Sequence, residues 1–163
     1  MPPTDPAAQA KQQLIAEMLA AHGRCHLQVL GSSMLPSLWP GETVLIEKRT
    51  LGLPSVGDIV LYEREGRFFL HRLVGVKAGF WITRGDAVGQ EDPPVSADGM
   101  LGVLAGVRRG TEWVVVPKEM SAASQLVAAV LGSSRLLASV VLRWVSPPRA
   151  DSSGLEALRN DKA

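Results

Sequence analysis

The 163-residue chain contains one cysteine, three histidines and 5% aromatics, and its 17 Lys plus Arg nearly cancel 16 Asp plus Glu, leaving a net charge of +1. A single thiol, Cys25, excludes an internal disulfide. His22, His26 and His71 are scattered, without metal-ligand spacing around them, so neither a metal site nor a cofactor is expected. The missing basic excess removes the electrostatic attraction on which nucleic-acid-binding domains rely, and DNA or RNA is not expected as a partner. No internal repeat is found. The start of the chain is proline-rich, and the one apolar stretch there, residues 14–21, is broken by Glu17, so an export signal or N-terminal membrane anchor is not expected.

Hydrophobic residues make up 46% of the chain, too many for a disordered protein and enough for one core of ordinary size. Residues 7–22, AAQAKQQLIAEMLAAH, are strong helix formers with Leu14, Ile15, Met18 and Leu19 on one face and Gly23 as a stop. Between residues 26 and 116 the texture changes to short β-branched or aromatic runs: HLQVL, TVLIEK, DIVLY, RFFLHRLVGV, FWIT, LGVLAGV and EWVVV. Turn formers separate them and no helix-length pattern intervenes, which argues against βαβ units. The expected fold is mainly β, an antiparallel sheet folded on itself between two flanking helices.

The second helix is expected within residues 121–145, SAASQLVAAVLGSSRLLASVVLRWV, which are long enough to span a bilayer but contain Arg135 and Arg143. At helical spacing Ser121, Ser124, Gln125, Gly132, Arg135, Ser139 and Arg143 share one stripe about 100° wide, with Leu, Val and Trp filling the rest. This amphipathic pattern predicts a broad apolar face packed on the domain or on a second copy, or lying in a membrane interface. The expected organisation is an N-terminal helix over 1–25, a β domain over 26–117, the amphipathic helix over 118–146 and a disordered tail over 147–163. Peripheral membrane association through that helix is the favoured localisation, a soluble cytoplasmic protein the alternative.

The chemistry-bearing candidates begin with Gly31-Ser32-Ser33-Met34-Leu35-Pro36, a small-residue turn after the first strand. Such a turn can expose a hydroxyl while the backbone N–H of the same serine faces an oxyanion. A serine needs a base within hydrogen-bond reach, and Lys48, Lys77 and His71 are the candidates in the β body. Alternation in Phe69-Leu70-His71-Arg72-Leu73 puts His71 on the face of Phe69 and Leu73, where desolvation favours the neutral, proton-accepting imidazole. Arg72 is expected on the opposite face, solvating that side of the sheet, and Lys48 and Lys77 read as solvated lysines. A histidine base needs a carboxylate on its other nitrogen, and the loop from Thr83 to Pro94 offers Asp86, Glu91 and Asp92.

Taken in order, Gly-Ser-Ser-Met-Leu-Pro, Pro-Gly-Glu-Thr-Val, Val-Gly-Asp-Ile-Val, Leu-His-Arg-Leu-Val and Thr-Arg-Gly-Asp, followed by a further Asp, resemble the signal peptidase I and LexA superfamily of serine peptidases, over about residues 28–107. The His-Arg pair is similar to the branch containing the archaeal and endoplasmic-reticulum signal peptidases. The resemblance implies the LexA/signal-peptidase type of fold, Ser33 as nucleophile, His71 as base, Asp92 as its orienting acid and Asp86 as the motif aspartate nearby. It also implies an extended peptide or precursor protein as substrate, bound as an added strand against Gly31, Ser32 and Met34, with Leu30 and the residues around Ile59 as further walls. Gly31 stands where many relatives have a serine, so a main-chain oxyanion donor must suffice, and Ala87-Val88-Gly89-Gln90 replaces a stretch where relatives carry asparagines. A catalytically silent peptide-binding β module is the alternative. A self-cleaving regulator of the LexA kind ranks lower, because about thirty residues before Ser33 are too few for a three-helix recognition domain.

Overall fold

The computed structural model describes residues 6–48 and 53–133. Seven strands form one antiparallel sheet: β1 (Arg24–Gln28), β2 (Thr43–Glu47), β3 (Ile59–Arg64), β4 (Arg67–Lys77), β5 (Phe80–Arg84), β6 (Met100–Arg109) and β7 (Glu112–Val114). The strand order is β1-β2-β6-β3-β4-β5, with β7 paired to β6. Helix α1 (Pro6–His22) precedes the sheet and α2 (Ala122–Ser133) follows it. The protein is thus mainly β, and the seven apolar runs are its seven strands, displaced by a residue or two at their ends. The outer part of the expected C-terminal helix, including Arg135, Ser139 and Arg143, and the tail lie outside the described residues.

β3 explains how one sheet supports a core on both faces. Its run Ile59-Val60-Leu61-Tyr62 is buried throughout, as expected of a strand covered on two sides. Ile59 and Leu61 join a cluster with Ile15, Leu19, Met34, Leu38, Val44, Ile46 and Val107, while Val60 and Tyr62 join Leu73, Trp81 and Val95 on the other face. Directly opposed residues of an antiparallel pair share a face. The register Val60↔His71 and Tyr62↔Phe69 therefore puts His71 over the second cluster, and Ile59↔Arg72 turns Arg72 toward the first.

Two sequence expectations change. Among the described side chains of α1, Ile15 and Leu19 reach the core, while Leu14 and Met18 of the expected apolar face stay exposed. Arg72 does not solvate a free face: its residue is 7% exposed, since both faces of β4 are covered here. In α2 Ala128 and Leu131 are buried, whereas Leu126, Val127 and Val130 face outward. Small residues allow the backbone of α2 to approach closely, and that approach prevails over burial of the larger side chains.

Candidate functional site

Ser33 sits where the chain leaves β1 and turns back toward β2. Gly41 N–H donates to the Val29 carbonyl at 2.8 Å and Leu38 N–H to the Met34 carbonyl at 2.9 Å, closing the loop on itself. Met34, Leu35 and Leu38 are 2%, 1% and 0% exposed, so the loop is plugged into the core by its apolar residues. Ser33 is left half-buried between them and the surface.

His71 lies on β4, its ring edge-on to Phe69 and Tyr62 at centroid distances of 6.0 and 6.3 Å. The Ser33 Oγ is 2.9 Å from His71 Nε2, and His71 Nδ1 is 2.7 Å from Asp92 Oδ2. Asp92 arrives by strand-like pairing along β5: its N–H donates to the Thr83 carbonyl at 2.8 Å, and Trp81 and Val95 exchange two bonds of 2.9 Å. Pro93 and Pro94, which favour extended backbone and have no N–H to give, suit this sheet edge. The Thr83 hydroxyl also donates to Asp92 Oδ2 at 2.8 Å, so one carboxylate oxygen serves both partners.

Burial alone would raise the Asp92 carboxyl, but the hydrogen bonds from His71 and Thr83 and the attraction of His71 outweigh it and hold the group below the usual carboxylate range. An ionised Asp92 keeps the proton of His71 on Nδ1, which leaves Nε2 to accept from the serine hydroxyl. Hydroxyl, imidazole and carboxylate in this order are able to remove a proton from Ser33 and hold the resulting charge. Tyr62 underlies the site, fully buried, its hydroxyl beside Thr83 and Asp92 without closing a hydrogen bond of good geometry to either. Burial, reinforced by the Asp92 charge, pushes its phenol up to about 12.

Asp86 is not on His71. Its two oxygens accept from Arg72 Nε and Nη2, each at 2.8 Å. Arg72 Nη1 donates to the carbonyls of Gly57, Pro117 and Lys118 at 2.8, 3.0 and 2.9 Å, and Nη2 reaches the Ser37 hydroxyl at 3.2 Å. One guanidinium therefore ties together the serine loop, the Asp86 loop, the approach to β3 and the chain entering α2. Glu91 is exposed and pairs with Lys77 at 2.7 Å, away from the histidine, and Lys48 is exposed at the end of β2.

Gly85 explains how the Asp86 loop lies on Ser33. A Cβ there would stand 2.7 Å from the Ser33 carbonyl oxygen and 3.0 Å from Ser33 Cβ, so no side chain fits. Ala87 N–H donates to that same carbonyl at 2.9 Å. Of the expected substrate contacts, Gly31 is exposed and Ser32 half-buried beside Ser33, and Leu30 is 73% exposed. Met34 and Ile59 point into the core and offer no wall, a correction that follows from their place in the first cluster. A cavity of about 610 Å³ lies between α2, Arg84 and the Asp86–Gly89 loop, with neither Ser33 nor His71 on its wall. Thr83, Tyr62 and the clamping role of Arg72 were not assigned from sequence, although alternation from Trp81 puts Thr83 on the His71 face.

Among the described residues no group of three His, Cys, Asp or Glu side chains is arranged to hold a metal ion, and no helix is long and apolar enough to cross a membrane. No protein-family model matches the chain, and no curated protein matches it.

Proposed function

We propose that this chain is a serine endopeptidase of the signal-peptidase type, resembling the His-containing branch of the signal peptidase I and LexA superfamily, and that it cleaves a leader, signal or propeptide. The observation that carries the reading is the continuous relay from Ser33 Oγ through His71 to Asp92, at 2.9 and 2.7 Å. His71 Nε2 takes the hydroxyl proton as Ser33 Oγ bonds to the scissile carbonyl carbon, and the Ser33 backbone N–H stabilises the oxyanion. The imidazolium returns its proton to the leaving amine as the C–N bond breaks. Water, deprotonated by the same nitrogen, then attacks the acyl-enzyme, and the proton passes back to Ser33 as the acyl group leaves. Asp92 holds the ring and its charge throughout.

An extended peptide or precursor with small side chains before the cut, running past Gly31 and Ser32, is the substrate class this reading implies. The exposed Leu126, Val127 and Val130 support attachment to a membrane surface, or self-association, through residues 121–145. The alternative of a silent peptide-binding module would be favoured by a histidine turned from the serine, and the geometry is the opposite.

Cleavage of leader peptides by the parent, Ser33→Ala and His71→Ala tests the reading. Each variant should lose about 10³-fold or more in kcat with the fold retained. Equal cleavage by parent and variants would remove Ser33 and His71 from the mechanism.

A further inference from the structure

The loop carrying Gly85, Asp86 and Ala87 is held from two sides. On the inner side it lies on Ser33: Gly85 admits the Ser33 carbonyl, and Ala87 N–H donates to it at 2.9 Å. On the outer side it meets α2, where a Cβ built on Gly132 would overlap the Ala87 carbonyl oxygen. The two groups of one residue, Ala87, thus face the nucleophile loop and the helix. Ala128 and Leu131, buried at 4% and 8% exposure, seat the same side of α2. The root of the helix is fixed too, because Arg72 Nη1 donates to the Pro117 and Lys118 carbonyls while its other nitrogens hold Asp86.

We infer that α2 is part of the support of the nucleophile, and that Gly132 is a positioning residue whose missing side chain lets the helix press the Ala87 peptide onto the Ser33 carbonyl. This deepens the proposed peptidase reading. A hydroxyl attacking a carbonyl loses rate steeply when its backbone shifts by a fraction of a bond length. The device requires glycine: any β-carbon at residue 132 must lift α2 from Ala87 or force the Ala87 peptide out of its hydrogen-bonded place on Ser33.

The experiment compares the full chain with Gly132→Val, Gly132→Ala and Glu112→Gln, the last altering an exposed side chain on β7. Backbone amide exchange is followed residue by residue, alongside leader-peptide cleavage. In Gly132→Val the Ala87 amide should exchange at least about tenfold faster while the amides of β3 and β4 keep their protection. The same variant should lose about 10- to 100-fold in kcat with KM within about twofold. Glu112→Gln should match the parent in both measurements. Unchanged exchange at Ala87 overturns the inference, and so does faster exchange with kcat unaltered. If Gly132→Val loosens β3 and β4, the smaller Gly132→Ala decides: it must loosen Ala87 with the sheet protected, or the inference falls. A parent that cleaves no leader peptide defeats the peptidase reading, while exchange at Ala87 still decides whether α2 holds the loop.

Discussion

Asp92 and Asp86 stand six residues apart in one loop, and replacing each by asparagine should have different consequences. Asp92 Oδ2 accepts from both His71 Nδ1 and the Thr83 hydroxyl. In Asp92→Asn the amide oxygen can occupy that place and keep both bonds, so the histidine tautomer survives and only the charge is lost. With charge centres about 4 Å apart near a protein surface, that charge is worth about 4 kcal/mol to the imidazolium formed on proton transfer, or about 10³-fold in kcat. Adding Thr83→Val removes the donor that orients the amide. The amide NH₂ can then face Nδ1 and select the wrong tautomer, for a further loss of about tenfold. Asp86 forms a buried two-point pair with Arg72, the side chains being 3% and 9% exposed. Asp86→Asn leaves a guanidinium buried beside an amide, at a stability cost of roughly 3–5 kcal/mol. Single-turnover cleavage and urea unfolding of the same preparations separate the two. The assignment is refuted if Asp92→Asn cleaves within tenfold of the parent, or if Asp86→Asn unfolds like the parent but has the larger defect in cleavage.

Because folding lowers the Asp92 carboxyl, its contribution to stability is complete above the unfolded-state value of about 3.9 and is lost as pH falls through the lower folded value. Urea midpoints between pH 6 and 2.5 should therefore fall more steeply below pH 4 for the parent than for Asp92→Asn; parallel curves would contradict this. Gly85→Ala forces a β-carbon against the Ser33 carbonyl and Cβ, and should reduce cleavage about 10²-fold, with Ser33 resonances shifted in NMR spectra; an unperturbed Ser33 would show that the loop has room to spare. Tyr62→Phe removes a buried hydroxyl that closes no bond, so stability should hold or rise by about 1 kcal/mol. A loss above about 2 kcal/mol on thermal unfolding would mean that the hydroxyl is bonded to Asp92 or Thr83.

The β architecture was legible because each strand carries its own signal. Val44 and Ile46 alternate with less buried neighbours, Ile59 to Tyr62 form an unbroken apolar run, and turn residues stop each run, so strand number and fold class follow from local chemistry. Which strands pair is not local. The register of Val60 with His71, and the return of residues 92–95 along β5, depend on contacts between segments distant in sequence. Sequence could therefore offer Asp86, Glu91 and Asp92 as partners for a histidine without choosing among them on spacing alone.

Arg72 was misjudged because alternation tells which residues share a side, not which side is covered. On a sheet with one wet face, an arginine next to a buried histidine would solvate that face. Here β3 and β4 are covered on both, and a charge placed there must be neutralised and its donors filled. Asp86, three carbonyls and Ser37 do so, and the planar guanidinium holds several directions at once where an ammonium on a flexible stem would not. The same reasoning applies to α2: once its root is held by Arg72 through the Pro117 and Lys118 carbonyls, the side that meets the loop is set by backbone geometry. Ala128 and Gly132 then matter for their smallness, and Leu126, Val127 and Val130 are left outside however apolar they are. The residue least conspicuous in a composition count, a glycine inside a helix, is thus the one on which the packing against the Asp86 loop depends.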